Sequence, residues 1–273
     1  MDSEKFNNKI ALITGGTQGI GEITARHFVS QGLSGLAICG RNKKNGMKIA
    51  KDLNKLGCKT VYIQSDLNKV NDCIRIIKTI DRVFRNIDIL INCAAKTDRG
   101  GILDTTPKLW DSIFAINVRA PFLLMQGAAK IMIREKTKGV IASVLSIQSY
   151  GGSDFLTPYA ASKGALKILT KNVASSLLKK QIRVNGLNLG WTDTPNETII
   201  QKKYHNAKNN WVKKAAKNLP FKKLIHPIDV ARCLSFMCSA ESSIMTGSII
   251  DFAEIIMGPI DGKIGGNLKK LIN

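Results

Sequence analysis

The sequence predicts an α/β fold: one domain, a doubly wound parallel sheet of about seven strands with helices on both faces. Short β-branched runs alternate with longer segments of helical period, the pattern of consecutive strand-helix-strand units. No Pro/Ser-rich linker or internal repeat interrupts them, and 273 residues with 44% hydrophobic and 22% charged side chains suffice for one full core. The strands are expected at Lys9–Thr14, Leu36–Cys39, Thr60–Gln64, Ile87–Asn92, Gly139–Val144, Arg183–Asn188 and Ser248–Asp251. Between them lie helical patterns at 19–31, 43–56, 69–85, 107–136, 158–180 and 228–239. Parallel neighbours need such crossovers, and right-handed ones put helices on both faces. Residues 190–226 read as an insertion near the C-terminal strand ends, and the tail 258–273 has little periodicity.

Charge narrows the partners only partly. Forty-one Lys and Arg against 20 Asp and Glu give +21, a balance that suits nucleic acid, an anionic surface or acidic substrates. Of these, 31 are Lys against 10 Arg, and Lys, Asn and Ile are abundant together, as an A+T-rich coding sequence also produces. No helix-turn-helix, zinc or RNA-binding signature accompanies the charge, which argues against nucleic acid. Six cysteines show no C-x-x-C pair and no His at metal-ligand spacing; they read as reduced thiols, with no metal expected. Without a signal-like start or an eighteen-residue apolar run, the expected place of work is the cytoplasm, off the membrane.

The first strand runs into Thr14-Gly15-Gly16-Thr17-Gln18-Gly19-Ile20-Gly21 and then a helix. Glycines let the backbone turn tightly and approach a pyrophosphate, and the helix N-terminus offers free N–H groups. The second strand ends in Gly40-Arg41, where an NAD site usually has an acid; Arg41 can fork onto a 2′-phosphate. Asp66, followed by Leu67, stands after the third strand, where it can also cap the next helix. Ser146 precedes Tyr159 by thirteen residues, and Lys163 follows Tyr159 by one helical turn; Thr157 reads as the N-cap and Pro158 as the first helical residue. An ammonium at about 4 Å, at an effective dielectric near 20, contributes roughly 4 kcal/mol. That would lower a phenol's pKa by up to about 3 before desolvation opposes it, making tyrosine an acid/base near neutral pH.

The T-G-x-x-x-G-x-G spacing, Asn92 in Asn92-Cys93-Ala94-Ala95, Asn117 in Ala115-Ile116-Asn117-Val118, and Ser146/Tyr159/Lys163 in this order resemble the classical short-chain dehydrogenase/reductase family. Cys93, Ala95 and Leu189 replace that family's usual Asn, Gly and Pro. The resemblance spans about Phe6 to Asp251. It implies a Rossmann-type sheet and hydride transfer between NADP(H), preferred over NAD(H), and a small-molecule carbonyl or secondary alcohol. Tyr159 would be the acid/base, Ser146 would polarise the substrate oxygen, Lys163 would lower the tyrosine's pKa and hold the ribose, and Asn117 would hold a relay water. The implied cofactor contacts are Gly15, Thr17, Gln18, Gly19, Ile20, Gly21, Arg41, Asp66, Leu67, Asn92, Ala94, Tyr159, Lys163, Gly190, Thr192 and Thr194. A homotetramer, or else a dimer, through the helices at 107–136 and 158–180 is implied too, with the closing Ile249-Ile250-Asp251-Phe252 and its neighbours Ile255, Ile256 and Met257 suggesting a further contact. A 3-oxoacyl-thioester (acyl-carrier-protein) reductase and a non-catalytic nucleotide-sensing or nucleic-acid-binding relative are the alternatives. Residues 190–226 would form a substrate lid. From Gln201 to Lys223 it holds eight lysines and no acid, interleaved with Tyr204, Trp211 and Phe221. Those aromatics are expected over the substrate with the lysines turned toward an anionic group, or else the lysines form a solvated face.

Overall fold

The computed structural model describes residues 4–254; the tail 258–273 and Ile255, Ile256 and Met257 lie outside them. Seven parallel strands form one sheet in the order β3-β2-β1-β4-β5-β6-β7. They are β1 (Ile10–Thr14), β2 (Gly35–Gly40), β3 (Lys59–Gln64), β4 (Ile89–Asn92), β5 (Val140–Val144), β6 (Arg183–Leu189) and β7 (Ile249–Phe252). The order reverses between β1 and β4, and ligands of open α/β sheets bind beyond the strand ends at such a switch point.

Alternation along the strands divides the core in two. Ala11 and Ile13 face α1 (Gly19–Ser30), α2 (Lys43–Lys55) and α9 (Pro227–Cys238). Leu12 faces the layer of α3 (Val70–Phe84), α5 (Ala120–Arg134) and α6 (Thr157–Leu177). On the first face Phe28 is fully buried and stacks on Phe6 at 4.4 Å between ring centroids, an anchor worth about 2–3 kcal/mol of apolar burial.

Two departures from the expected helices matter for the site. The pattern at 107–136 is not one α-helix: α4 (Pro107–Phe114) passes through a π turn at Ala115–Arg119 before α5, and Asn117 sits in that turn. Such turns gather at functional sites. Leu156, not Thr157, is the N-cap of α6; Thr157 is already helical, and its N–H bonds the Gly100 carbonyl at 2.9 Å. The insertion carries two helices, α7 (Pro195–His205) and α8 (Trp211–Lys217). Among the described residues no helix is long and apolar enough to cross a membrane.

Candidate active site

A cleft of about 800 Å³ opens at the C-terminal strand ends, lined from Gly15, Gly40 and Ser65 to Val144 and Leu189. At its first end Gly15 takes φ +69°, and a Cβ there would lie 3.0 Å from the Ala94 Cα; a Cβ on Gly21 would strike the Gly15 carbonyl. The chain therefore turns in a volume only glycine fits. The Thr14 hydroxyl accepts the N–H groups of Cys93 and Ala94, both at 3.0 Å, tying the β1 and β4 ends together. No side-chain cap closes α1, and its first residues Gly19, Ile20 and Gly21 line the cleft, so first-turn N–H groups are open to a ligand there. Asn92 is buried with Oδ1 unpartnered among the described residues. Cradle, uncapped helix and orphaned acceptor fit a dinucleotide.

The remaining residues expected at this end divide by their present partners. Thr17, Gln18, Gly19, Ile20, Arg41, Asp66, Leu67, Ala94, Gly190, Thr192 and Thr194 all line the cleft; Asn92 stands just behind it. Arg41 is exposed at the mouth. A Cβ on Gly40 would meet the Thr17 side chain at 2.9 Å, so Thr17 holds the space an acid would need there. Asp66 does not cap α3, whose N-cap is Lys69; its carboxylate accepts the Asn68 N–H in a local turn, at 3.1 Å. Thr194 caps α7 through Glu197 N–H at 3.1 Å.

Ser146, Tyr159 and Lys163 converge on one wall of the cleft. Ser146 is buried at the end of β5, its Oγ accepting the Gln148 N–H at 3.2 Å. Tyr159 and Lys163 share a face of α6, as their spacing requires. The expected depression of the phenol's pKa is not what this arrangement produces. Lys163 Nζ donates to the Val144 carbonyl at 2.7 Å and sits 5.7 Å from the Tyr159 ring centroid. Burial pushes the phenol up to about 12; Ser146 opposes that, Glu197 adds to it and Arg99 opposes it. Burial also lowers the lysine to about 8. Tyr159 thus holds its proton throughout the neutral range.

Asn117 is fully buried, and its side chain is already committed. Oδ1 accepts the Lys96 N–H at 2.8 Å, and Nδ2 donates to the Lys96 carbonyl and the Ser162 hydroxyl, both at 3.0 Å. The side chain pins the loop after β4 to α6. Any water it serves would meet its main chain, where the π turn breaks the regular α-helical bonding.

The other end of the cleft holds residues that sequence reasoning missed. Arg99 Nη2 meets Glu197 Oε1 at 3.3 Å, both side chains mostly buried, while its Nε donates to His205 Nε2 at 3.3 Å and Nη1 to the Thr97 carbonyl at 3.1 Å. Trp191 Nε1 and Gln201 Nε2 also donate to Glu197 Oε1, at 3.0 and 2.8 Å. Thr194-Pro195-Asn196-Glu197 has the spacing of a capping box, a signal that would have placed a helix start and Glu197. The aromatics expected over the substrate are elsewhere. Tyr204 donates to Asp98 at 2.9 Å, Trp211 is buried against Trp191, and Phe221 is solvent-exposed. None of these three, and none of the eight lid lysines, lines the cleft; all eight lysines are exposed, those of α7 and α8 on the outer faces of the helices.

Comparison with known proteins gives one family. The family profile described as short chain dehydrogenase matches residues 9–205. Over 255 residues the chain is 30% identical to the Arabidopsis thaliana protein named glucose and ribitol dehydrogenase homolog 2, covering 91% of this chain and 85% of that protein. Identity is also 30% over 257 residues to the NADPH-dependent aldehyde reductase 1, chloroplastic, of Arabidopsis thaliana, covering 91% and 86%. The fold is shared with L-sorbose reductase from Gluconobacter frateurii, solved with NADPH and L-sorbose, at TM-score 0.87 and 24% identity over 95% of this chain and 100% of that one.

Proposed function

The chain belongs to the short chain dehydrogenase family, and on that premise we propose that it is an NADP(H)-dependent oxidoreductase interconverting a small-molecule carbonyl and a secondary alcohol. The observation that carries the reading is the convergence of Ser146, Tyr159 and Lys163 on one wall of a cleft whose other end is a glycine cradle. NADP(H), bound in that cradle, supplies or takes up the hydride. The chain's own residues do the rest. The Ser146 hydroxyl orients the substrate oxygen, and Tyr159 Oη gives that oxygen its proton during reduction. A phenol near 12 keeps that proton until the substrate oxygen gains charge and draws it away. Lys163, which lines the same cleft, would hold the cofactor ribose and keep positive charge near the transfer. Work in a reducing cytoplasm suits the six free thiols.

Arg41 sets the cofactor preference in this reading, supported by Thr17 filling the space beside Gly40 and by the NADPH-dependent relative. A charge-assisted contact to a 2′-phosphate contributes about 1.5–3 kcal/mol, roughly a ten- to hundredfold preference. Fluorescence titration should therefore show NADPH binding more tightly than NADH, and Arg41→Ala should erase most of the difference. Equal affinities in the unmodified protein would overturn the preference.

The same reading gives the assembly. Trp110, Phe122 and Ile168 leave apolar surface on α4, α5 and α6, and an open hollow of about 640 Å³ there is lined by Phe114, Val118, Phe122 and Leu169. Exposed apolar side chains on adjoining helices, with Asp111 and Arg119 beside them in the same hollow, suit a subunit interface. Light scattering is expected to give four copies of 29.9 kDa, about 120 kDa in all. A single copy at micromolar concentration would exclude the assembly.

A further inference from the structure

We propose that the substrate is a neutral, hydroxyl-rich ketone or its polyol, and that Glu197 is the residue that selects it, with Gln148 as a second acceptor. The inference rests on the oxidoreductase reading and specifies what the cleft's outer end is shaped to hold.

Three donors converge on one oxygen of Glu197: Arg99 Nη2, Trp191 Nε1 and Gln201 Nε2 all reach Oε1. Oε2 has no hydrogen-bond partner among the described residues, although Glu197 lines the cleft and its charge is felt at Tyr159. A carboxylate serving only to tie the lid to Arg99 would gain more from a two-oxygen fork. Nor does Glu197 complete the capping box its position suggests: its side chain turns to Arg99, Trp191 and Gln201 rather than back to the Thr194 N–H. Fixed by three donors, Oε2 is a pre-organised acceptor. Gln148 lies two residues beyond Ser146, and its Oε1 is a buried acceptor with no partner among the described residues. The buried Gln148 acceptor is costly without a donor unless a ligand supplies one.

The charges give the other half of the argument. Arg99 is engaged at all three guanidinium nitrogens, by His205, Thr97 and Glu197, and Lys96 pairs with Asp98 at 3.7 Å. Each cation already faces a carboxylate, so this end of the cleft presents no net positive charge to a carboxylate or phosphate on the substrate. The site therefore offers O–H donors at Ser146 and Tyr159 for a carbonyl, and acceptors at Glu197 and Gln148 for neighbouring hydroxyls. That map matches a polyhydroxy ketone.

The test uses the purified protein with NADPH on erythrulose, an open-chain hydroxylated ketone, and on 2-butanone, which has the same carbons and carbonyl position without the hydroxyls. Wild-type kcat/KM should favour erythrulose at least tenfold. Glu197→Gln should lower the erythrulose-to-butanone ratio at least tenfold, chiefly through KM, and Gln148→Met should lower it at least threefold. If Glu197→Gln fails to fold, the Gln148→Met ratio decides. A ratio near one in the wild type, or one unchanged in the folded variants, overturns the proposal while butanone turnover leaves the reductase reading standing. Turnover of neither ketone, nor of any other carbonyl offered with either cofactor, overturns the reductase reading and this inference with it.

Discussion

Tyr159→Phe is expected to lower kcat for carbonyl reduction by roughly 10³-fold or more while leaving NADPH affinity within a few-fold. The substitution removes one oxygen and keeps the ring, so the α6 face and the cleft wall retain their shape. What disappears is the only phenol on that wall, beside Ser146 and held protonated by burial up to about 12. Ser146 is no substitute proton source, because an aliphatic hydroxyl is a far weaker acid: its O–H can hydrogen-bond the substrate oxygen but does not give up its proton to it. Steady-state kinetics on a true substrate, with NADPH titrated separately, gives the check. A variant retaining more than a tenth of wild-type turnover would remove Tyr159 from the acid/base role.

How far the sequence reaches is visible in individual residues. The strands were legible because β-branched runs are a local signal; β1, β3, β5 and β6 end at or within a residue of their expected limits. Gly15 and Gly21 were legible because their backbone geometry admits no side chain. The π turn around Asn117 was not, since the residues on both sides keep helical period and one inserted residue only shifts the phase between them. The lid's Lys-rich composition left open an electrostatic role or a solvated face; the fold directs those lysines to solvent, as the second reading expects, and places a paired Arg99 and Glu197 inside. That pair spans the chain from the loop after β4 to α7, a juxtaposition no local pattern encodes. Spacing likewise put Lys163 one turn from Tyr159, but it did not reveal that the Val144 carbonyl would claim the ammonium.

Lys163→Met should inactivate the protein, by about 10²-fold or more in turnover, and yet make the cofactor-free fold more stable at pH 7. The ammonium is 2% exposed, with one hydrogen bond, to Val144, and no acidic partner among the described residues. Burial lowers its pKa from 10.5 to about 8, which at about 1.4 kcal/mol per pH unit corresponds to a cost of roughly 3 kcal/mol. Below pH 8 both folded and unfolded chains hold the proton, so that cost is present in full. Between pH 8 and 10.5 the unfolded chain binds more protons than the folded one, so wild-type stability rises with pH across that window. Methionine fills a similar volume without charge and forfeits one hydrogen bond, about 1 kcal/mol, leaving a net gain near 2 kcal/mol at neutral pH. For a chain of this size that is about 5 °C in Tm. The gain should shrink as pH rises above 8 and be gone by about 10.5. Thermal unfolding of both proteins at pH 7 and pH 10 checks the sign: a variant less stable than wild type at pH 7 would show that the lysine stabilises the fold it sits in. An active, stabilised variant would instead remove Lys163 from the chemistry, since its cost to the fold would then be matched by no loss of turnover.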